Sequence, residues 1–168
     1  EFFPNAQMIA DKFHVLRLLT PAINKARVAI TGDKRKSPLR WLLLKPRHKL
    51  KYFERDAIDR WLIDYPELKE LYWAREALFT FYRTKGSERA KRALIRLTDH
   101  LAHSKIKAIK TLRRTLVNWR IEILNYFKTG LTNARTEGFN NVAKLVQKRA
   151  YGYTSFENYR LRLLNACC

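Results

Sequence analysis

Apolar side chains recur at helical spacing through most of this chain, and the interruptions fall at Pro, Gly and polar clusters. From Lys12 to Ile30 the positions Phe13, Leu16, Ile23 and Val28 suggest a helix that Pro21 kinks or divides. Further helices are predicted over 55–65, over 66–83 with Pro66 in the first turn, and over 88–103 after the break at Gly86-Ser87. Ser87 is a plausible N-cap for the last of these. A long helix is expected over 106–127, with Ile109, Leu112, Leu116, Trp119, Ile123 and Tyr126 on one stripe. After a turn at 129–133, one helix should cover 134–149 and end at Tyr151-Gly152-Tyr153. Thr154-Ser155-Phe156-Glu157 has capping-box spacing, with Thr154 at the cap of a last helix that runs to about Ala166. Two segments read differently. Gln7-Met8-Ile9-Ala10, after a Pro4-Asn5 turn, has the pattern of a strand end with Asp11 at its edge, and Trp41-Leu42-Leu43-Leu44 fits a buried strand or a helical turn equally well. Residues 32–38 form a polar, basic loop.

Composition sharpens this picture. The 168 residues are 46% hydrophobic, with four Trp, eight Tyr and nine Phe against only five Gly and five Pro, which suits one folded core and excludes global disorder. Net charge is +20, the footprint of a protein that meets a polyanion, and nucleic acid is the first candidate. The charge is uneven: residues 1–53 carry 12 basic and 3 acidic groups, 54–99 carry 10 and 9, and 100–168 carry 13 and 3. A polyanion surface is therefore expected at the two ends. The two cysteines, Cys167 and Cys168, are adjacent and form neither a disulfide framework nor a zinc motif. No stretch has the length of a membrane span and no signal peptide is visible, and a reducing, cytoplasmic setting is expected.

Two carboxylates stand out by context. Asp11 closes the apolar run and opens a basic segment, and Glu137 has no other acid between Glu122 and Glu157. An acid isolated among cations is either an ion-pair partner or a metal ligand, and by residue context alone the ion pair is favoured. The neighbours of Glu137 favour the second reading. On a helix Glu137, Asn141, Lys144 and Lys148 fall at i, i+4, i+7 and i+11, on one face, while Phe139, Val142, Leu145 and Val146 would pack inward. Hard divalent cations take oxygen ligands, and phosphate oxygens need cations, so this face suits phosphodiester chemistry. Arg135 and Arg149 extend its basic character. A solvated helix face would carry the same residue types.

The two ends of the chain resemble a known family. Ala10-Asp11-Lys12-Phe13-His14-Val15 resembles the second-aspartate motif of bacterial insertion-sequence transposases of the DDE type, ISL-three family. Leu131-Thr132-Asn133, the run Thr136-Glu137-Gly138-Phe139-Asn140-Asn141 and the run from Lys144 to Tyr153 are similar to its glutamate motif, and Phe156–Arg162 to the segment that closes the domain. The resemblance runs from about residue 4 to 165 and is loose between 33 and 128. It implies an RNase H-like catalytic core in which Asp, Asp and Glu hold two divalent ions, Mg2+ or Mn2+. Asp11 matches the second acid and Glu137 the third. The first acid, and the family's N-terminal zinc-binding and helix-turn-helix regions, would lie outside this chain. DNA, both transposon ends and target, is the implied partner, bound by a homo-oligomer, with Arg135, Asn141, Lys144, Lys148 and Arg149 as DNA contacts.

The fold expected from these readings is α+β dominated by helices: a partial RNase H-like core with an all-helical insertion. Residues 1–53 and 128–168 would belong to the core and 54–127 to the insertion. Such a chain would not cleave DNA by itself. Two rivals remain, a transposase remnant that only binds DNA and a helical protein-interaction module with incidental charge. Several other residues have plain structural readings. His14 suits packing or a helix hydrogen bond better than catalysis, and His100 and His103 suit the surface. Trp41, Trp61, Trp73 and Trp119 read as core, although a Trp in the insertion would suit stacking on an extruded base. Gly138 inside a helix costs about 1 kcal/mol relative to Ala, which close approach of DNA or a late helix start would explain.

Overall fold

The structure, a computed structural model, describes residues 7–32, 38–150 and 152–167, except the side chains of 134 and 135. All regular structure among the described residues is helical: α1 (Lys12–Arg17), α2 (Thr20–Thr31), α3 (Pro38–Leu44), a short 3₁₀ turn (Arg47–Lys49), α4 (Tyr52–Ile63), α5 (Pro66–Tyr82), α6 (Ser87–Ala102), α7 (Lys107–Asn118), α8 (Arg120–Thr129), α9 (Ala134–Arg149) and α10 (Phe156–Cys167). The chain divides into two compact units, 1–130 and 131–168. The turn at residues 1–6 and most of the basic loop, residues 33–37, lie outside the described residues, as does Tyr151.

The expected α+β class is corrected: no strand and no RNase H-like sheet occurs among the described residues. Residues 7–10 do not pair as a strand. Instead the Ala10 amide donates to the Glu122 carbonyl of α8 at 3.0 Å, and the Met8 carbonyl accepts from Asn125 Nδ2 at 2.9 Å. An apolar run becomes a strand only where an edge offers it a ladder of backbone partners, and here a helix satisfies those groups instead. Trp41–Leu44 likewise lies in a helix, α3.

In the first unit α5 is the central element, touched by α1, α2, α4 and α6. Its buried residues include the consecutive Ala74, Arg75 and Glu76 besides Leu68, Leu71, Leu78 and Phe81, so it is covered on more than one face. α6 and α7 instead bury single stripes, Ala90-Leu94-Leu97-Leu101 and Ile109-Leu112-Leu116, each large apolar side chain contributing about 1.5–3 kcal/mol. Arg75 is 2% exposed and donates from both terminal nitrogens to the carbonyls of Leu43 and Leu44. It thereby serves the orphan carbonyls at the C-terminus of α3, where the helix dipole also favours a cation. Glu76 Oε2 accepts the Arg47 amide at 2.9 Å, and Arg47 reaches both carboxylate oxygens of Asp59 at 2.8 and 2.6 Å. The α3–α4 connection is thus tied to α5 by hydrogen bonds to charged groups.

The long helix expected over 106–127 is two helices. Trp119, at φ −102 and ψ 24, separates α7 from α8 and is 49% exposed. A continuous helix would have set it on the Ile109-Leu112-Leu116 stripe. The break turns it outward and lets α8 pack on α6 and α7 along its own face. Trp41 and Trp73 are also exposed, at 66% and 41%, so three of the four tryptophans read as core are not in it. Gly130 ends α8 in the left-handed region, φ 68, where a Cβ would be strained. Near α6, the residue before the first turn is Gly86 rather than Ser87.

The second unit is a helical pair, α9 against α10. Val142, Ala143 and Val146 of α9 and Ala150 just after it are half-buried, as are Tyr153, Tyr159 and Leu163, with Tyr153 and Tyr159 ring to ring at 5.3 Å. Phe139 and Leu145, expected to pack inward, are 41% and 46% exposed. The cap of α10 falls one residue later than the capping-box reading. Ser155 Oγ accepts the Asn158 amide at 3.4 Å, and Glu157 pairs with Arg160 at 3.2 Å.

Candidate functional site

Asp11 is positioned by the start of α1. Its backbone is extended, φ −65 and ψ 124, as an N-cap requires, and its Oδ1 accepts the amides of Phe13 at 2.8 Å and His14 at 3.1 Å. Nδ1 of His14 lies 3.0 Å from the same oxygen. The Asp11 side chain is 14% exposed and that of His14 70%. Behind them stands an aromatic cluster in which Phe81, Tyr82, Tyr126 and Phe127 meet at centroid distances of 4.9–5.7 Å, and Lys12 Nζ sits 5.8 Å above the Tyr126 ring. Burial pushes the Tyr82 hydroxyl well above the ordinary tyrosine range, with Tyr126 and Asp11 adding to the shift. The negative charge of Asp11 is therefore felt inside this cluster. The sequence placed Asp11 at the edge of a strand. The structure makes it the cap of a helix, and that role alone accounts for an Asp here.

Glu137 lies in the first turn of α9 and is exposed, as are Asn141, Lys144 and Lys148. The helix is continuous from Ala134, so the four residues share one face, with the spacing read from the sequence. A late helix start no longer accounts for Gly138, which lies inside α9. Among the described residues a Cβ there would meet nothing within 4 Å, so packing within this unit does not demand glycine. Arg149 is turned away from that face. It lines a groove of about 380 Å3 between α9 and α10, together with Tyr153, Arg162 and Asn165. The Arg135 side chain lies outside the described residues. Asp11 belongs to the first unit and Glu137 to the second. Among the described residues no group of three or more His, Cys, Asp or Glu side chains is placed to hold a metal ion. The two acids suit a hard divalent cation in kind, as carboxylate oxygens, but do not by themselves complete its ligand set.

Comparison with known proteins decides the family. The model of a transposase family, the ISL3 group of DDE transposases, matches residues 1–163. The chain belongs to the ISL3 family of DDE transposases. It is similar to the transposase for insertion sequence element IS1001 of Bordetella parapertussis, 27% identical over 169 aligned positions that cover 95% of this chain and 42% of that protein. The chain thus spans less than half the length of this relative. No solved structure matches it. For this transposase segment, no described helix is long and apolar enough to cross a membrane.

A second basic region, not expected from the sequence, lies in the first unit, where Arg47, His48, Arg55 and Arg83 gather beside the exposed Trp73. Arg47 and His48 come from the 3₁₀ turn, Arg55 from α4 and Arg83 from the end of α5, so its members are scattered along the chain over three elements. The one local signal was the exposed-type run Arg47-His48-Lys49 after Pro46.

Proposed function

We propose that this segment serves DNA strand cleavage and transfer by a DDE transposase, acting on transposon ends and target. Asp11 and Glu137 would be two of the carboxylates that hold divalent metal, Mg2+ or Mn2+, and Asn141, Lys144 and Lys148 would lie along the DNA backbone. The observation that carries the reading is the α9 face, where one carboxylate, one amide and two ammonium groups stand exposed in a row beside a glycine that packing among the described residues does not require. Bound metal would supply Lewis-acid activation of the phosphodiester. The protein's own contribution is to hold carboxylates on rigid helix positions, to clamp phosphate oxygens with the lysines and to leave room at Gly138 for a sugar-phosphate strand.

Further parts of the reading are that the segment alone does not cleave, that the complete enzyme acts as a homo-oligomer on DNA, and that it works in the bacterial cytoplasm at the nucleoid. Metal-dependent cleavage of a duplex carrying the element's ends, by the complete transposase and its Glu137→Gln variant, tests the assignment. Gln keeps shape and helix propensity while removing the ligand charge, so cleavage should be lost with folding and DNA binding retained. If Glu137 served only as a surface ion-pair partner, Gln would cost about 0–1 kcal/mol of stability and spare cleavage. That result would sink the catalytic assignment and leave a DNA-binding remnant as the better reading.

A further inference from the structure

Two grooves meet at Trp73 in the first unit. The smaller, about 280 Å3, is lined by Arg47, His48, Arg55 and Arg83. The larger, about 520 Å3, runs between α5 and α6 past Ala77, Phe81 and Leu97, with Arg96 and His100 on its rim. Trp73, Glu76 and Thr80 line both. Arg47 sits over the Trp73 ring at 4.9 Å and is held there by Asp59, yet the ring stays 41% exposed. Glu76 is 7% exposed, and its Oε1, 3.8 Å from Arg75 Nη1, accepts no hydrogen bond from a described residue.

We infer that this groove pair binds one unstacked nucleotide of single-stranded DNA, with the base against Trp73 in the larger groove and the phosphate among Arg55, Arg83 and His48 in the smaller. The argument is complementarity of charge and shape. Arg47 is matched by Asp59, but Arg55 reaches only a backbone carbonyl, that of Leu50, in the described hydrogen bonds, and Arg83 is exposed at the end of α5. His48 registers the crowding: desolvation and the like charges of Arg83, Lys49 and Arg55 lower its pKa. An anion relieves that repulsion. A flat ring next to such a cluster selects anions that carry a π face, and a nucleotide has both. Duplex DNA does not fit, because its bases are stacked and the ring lies in a groove rather than on a protruding surface.

The inference rests on the DNA reading above, and the test separates the two. The chain is titrated with a short single-stranded oligodeoxythymidylate bearing one 2-aminopurine, with an abasic oligomer of equal length, and with duplex DNA. Binding is followed by anisotropy, and stacking by quenching of the 2-aminopurine. The base-bearing strand should bind about tenfold more tightly than the abasic one, the lower part of the range for one base on an aromatic side chain. Trp73→Leu should remove that tenfold and the quenching, Trp73→Phe should keep most of both, and all three should bind duplex alike. Arg83→Gln should lower the salt slope for the single strand by about one unit. Because Arg83 is exposed, that variant keeps the question answerable if Trp73→Leu does not fold, as a thermal melt will show. Equal binding of abasic and base-bearing strands, or undiminished quenching by a folded Trp73→Leu chain, overturns the nucleotide site and leaves the DNA reading standing. Absence of binding to every DNA at low salt overturns both.

Discussion

Asp11 offers a substitution pair that separates structural from chemical roles. Its Oδ1 accepts two amides of the first turn of α1 and contacts the His14 ring, so Asp11→Ala leaves two helix donors without their partner. Loss of an N-cap of this kind costs about 1 kcal/mol, within a range of about 0.5–2. For a chain of this size that is a fall in Tm of about 2–4 °C per kcal/mol. Asp11→Asn keeps an oxygen in the same place, and Asn caps as well as Asp, so its melt should stay within about 0.5 kcal/mol of the parent. The carboxylate charge is nevertheless gone. If Asp11 ligates metal in the complete transposase, Asn should abolish metal-dependent cleavage as fully as Ala does, although only Ala loses stability. The assays are thermal melts of the purified chain and end-cleavage by the complete enzyme carrying the same changes. Normal cleavage by the Asn variant would refute the metal role and reduce Asp11 to a cap. A destabilisation by Asn equal to that by Ala would refute the capping argument.

Gly138→Ala should stabilise α9 by about 1 kcal/mol, because the position is helical and a Cβ meets nothing there, yet weaken DNA binding if a strand passes close; a melt and a gel shift on one preparation check both. Lys144→Ala and Lys148→Ala should each lower the salt slope of DNA binding by about one unit, read from titrations at several salt concentrations, and an unchanged slope would remove them from the interface. Leu78→Ala, at a fully buried position of the central helix, should cost about 2–5 kcal/mol in urea unfolding. Burial raises the pKa of Glu76, so the folded chain holds that proton more tightly than the unfolded one. Stability should then fall as pH rises from the ordinary glutamate range through the raised value, and Glu76→Gln should flatten that part of the urea-derived pH profile; an unaltered slope would place its origin elsewhere.

The helices of 52–102 and 134–167 follow from information local to each segment. Their apolar spacing, the proline at the start of α5, the glycines at 86 and 130 and the single-face row Glu137-Asn141-Lys144-Lys148 all depend on neighbours within a turn or two, and these are readable in order along the chain. The family motifs around Asp11 and Glu137 are equally local. What spacing does not encode is the partner. Residues 7–10 look like a strand because a short apolar run is compatible with one, but strand or loop depends on whether another edge or a helix such as α8 meets their amides. Trp119 continues the α7 stripe by number, and the docking of α8 on α6 takes it off that stripe. The Arg75 cap of α3 joins residues more than 30 positions apart, and the two grooves at Trp73 together draw on four elements, so no single window of the sequence contains either arrangement. Helix formation is set by short-range sterics and periodic burial. Charge placement and pairing are set by long-range packing, which depends on every segment at once.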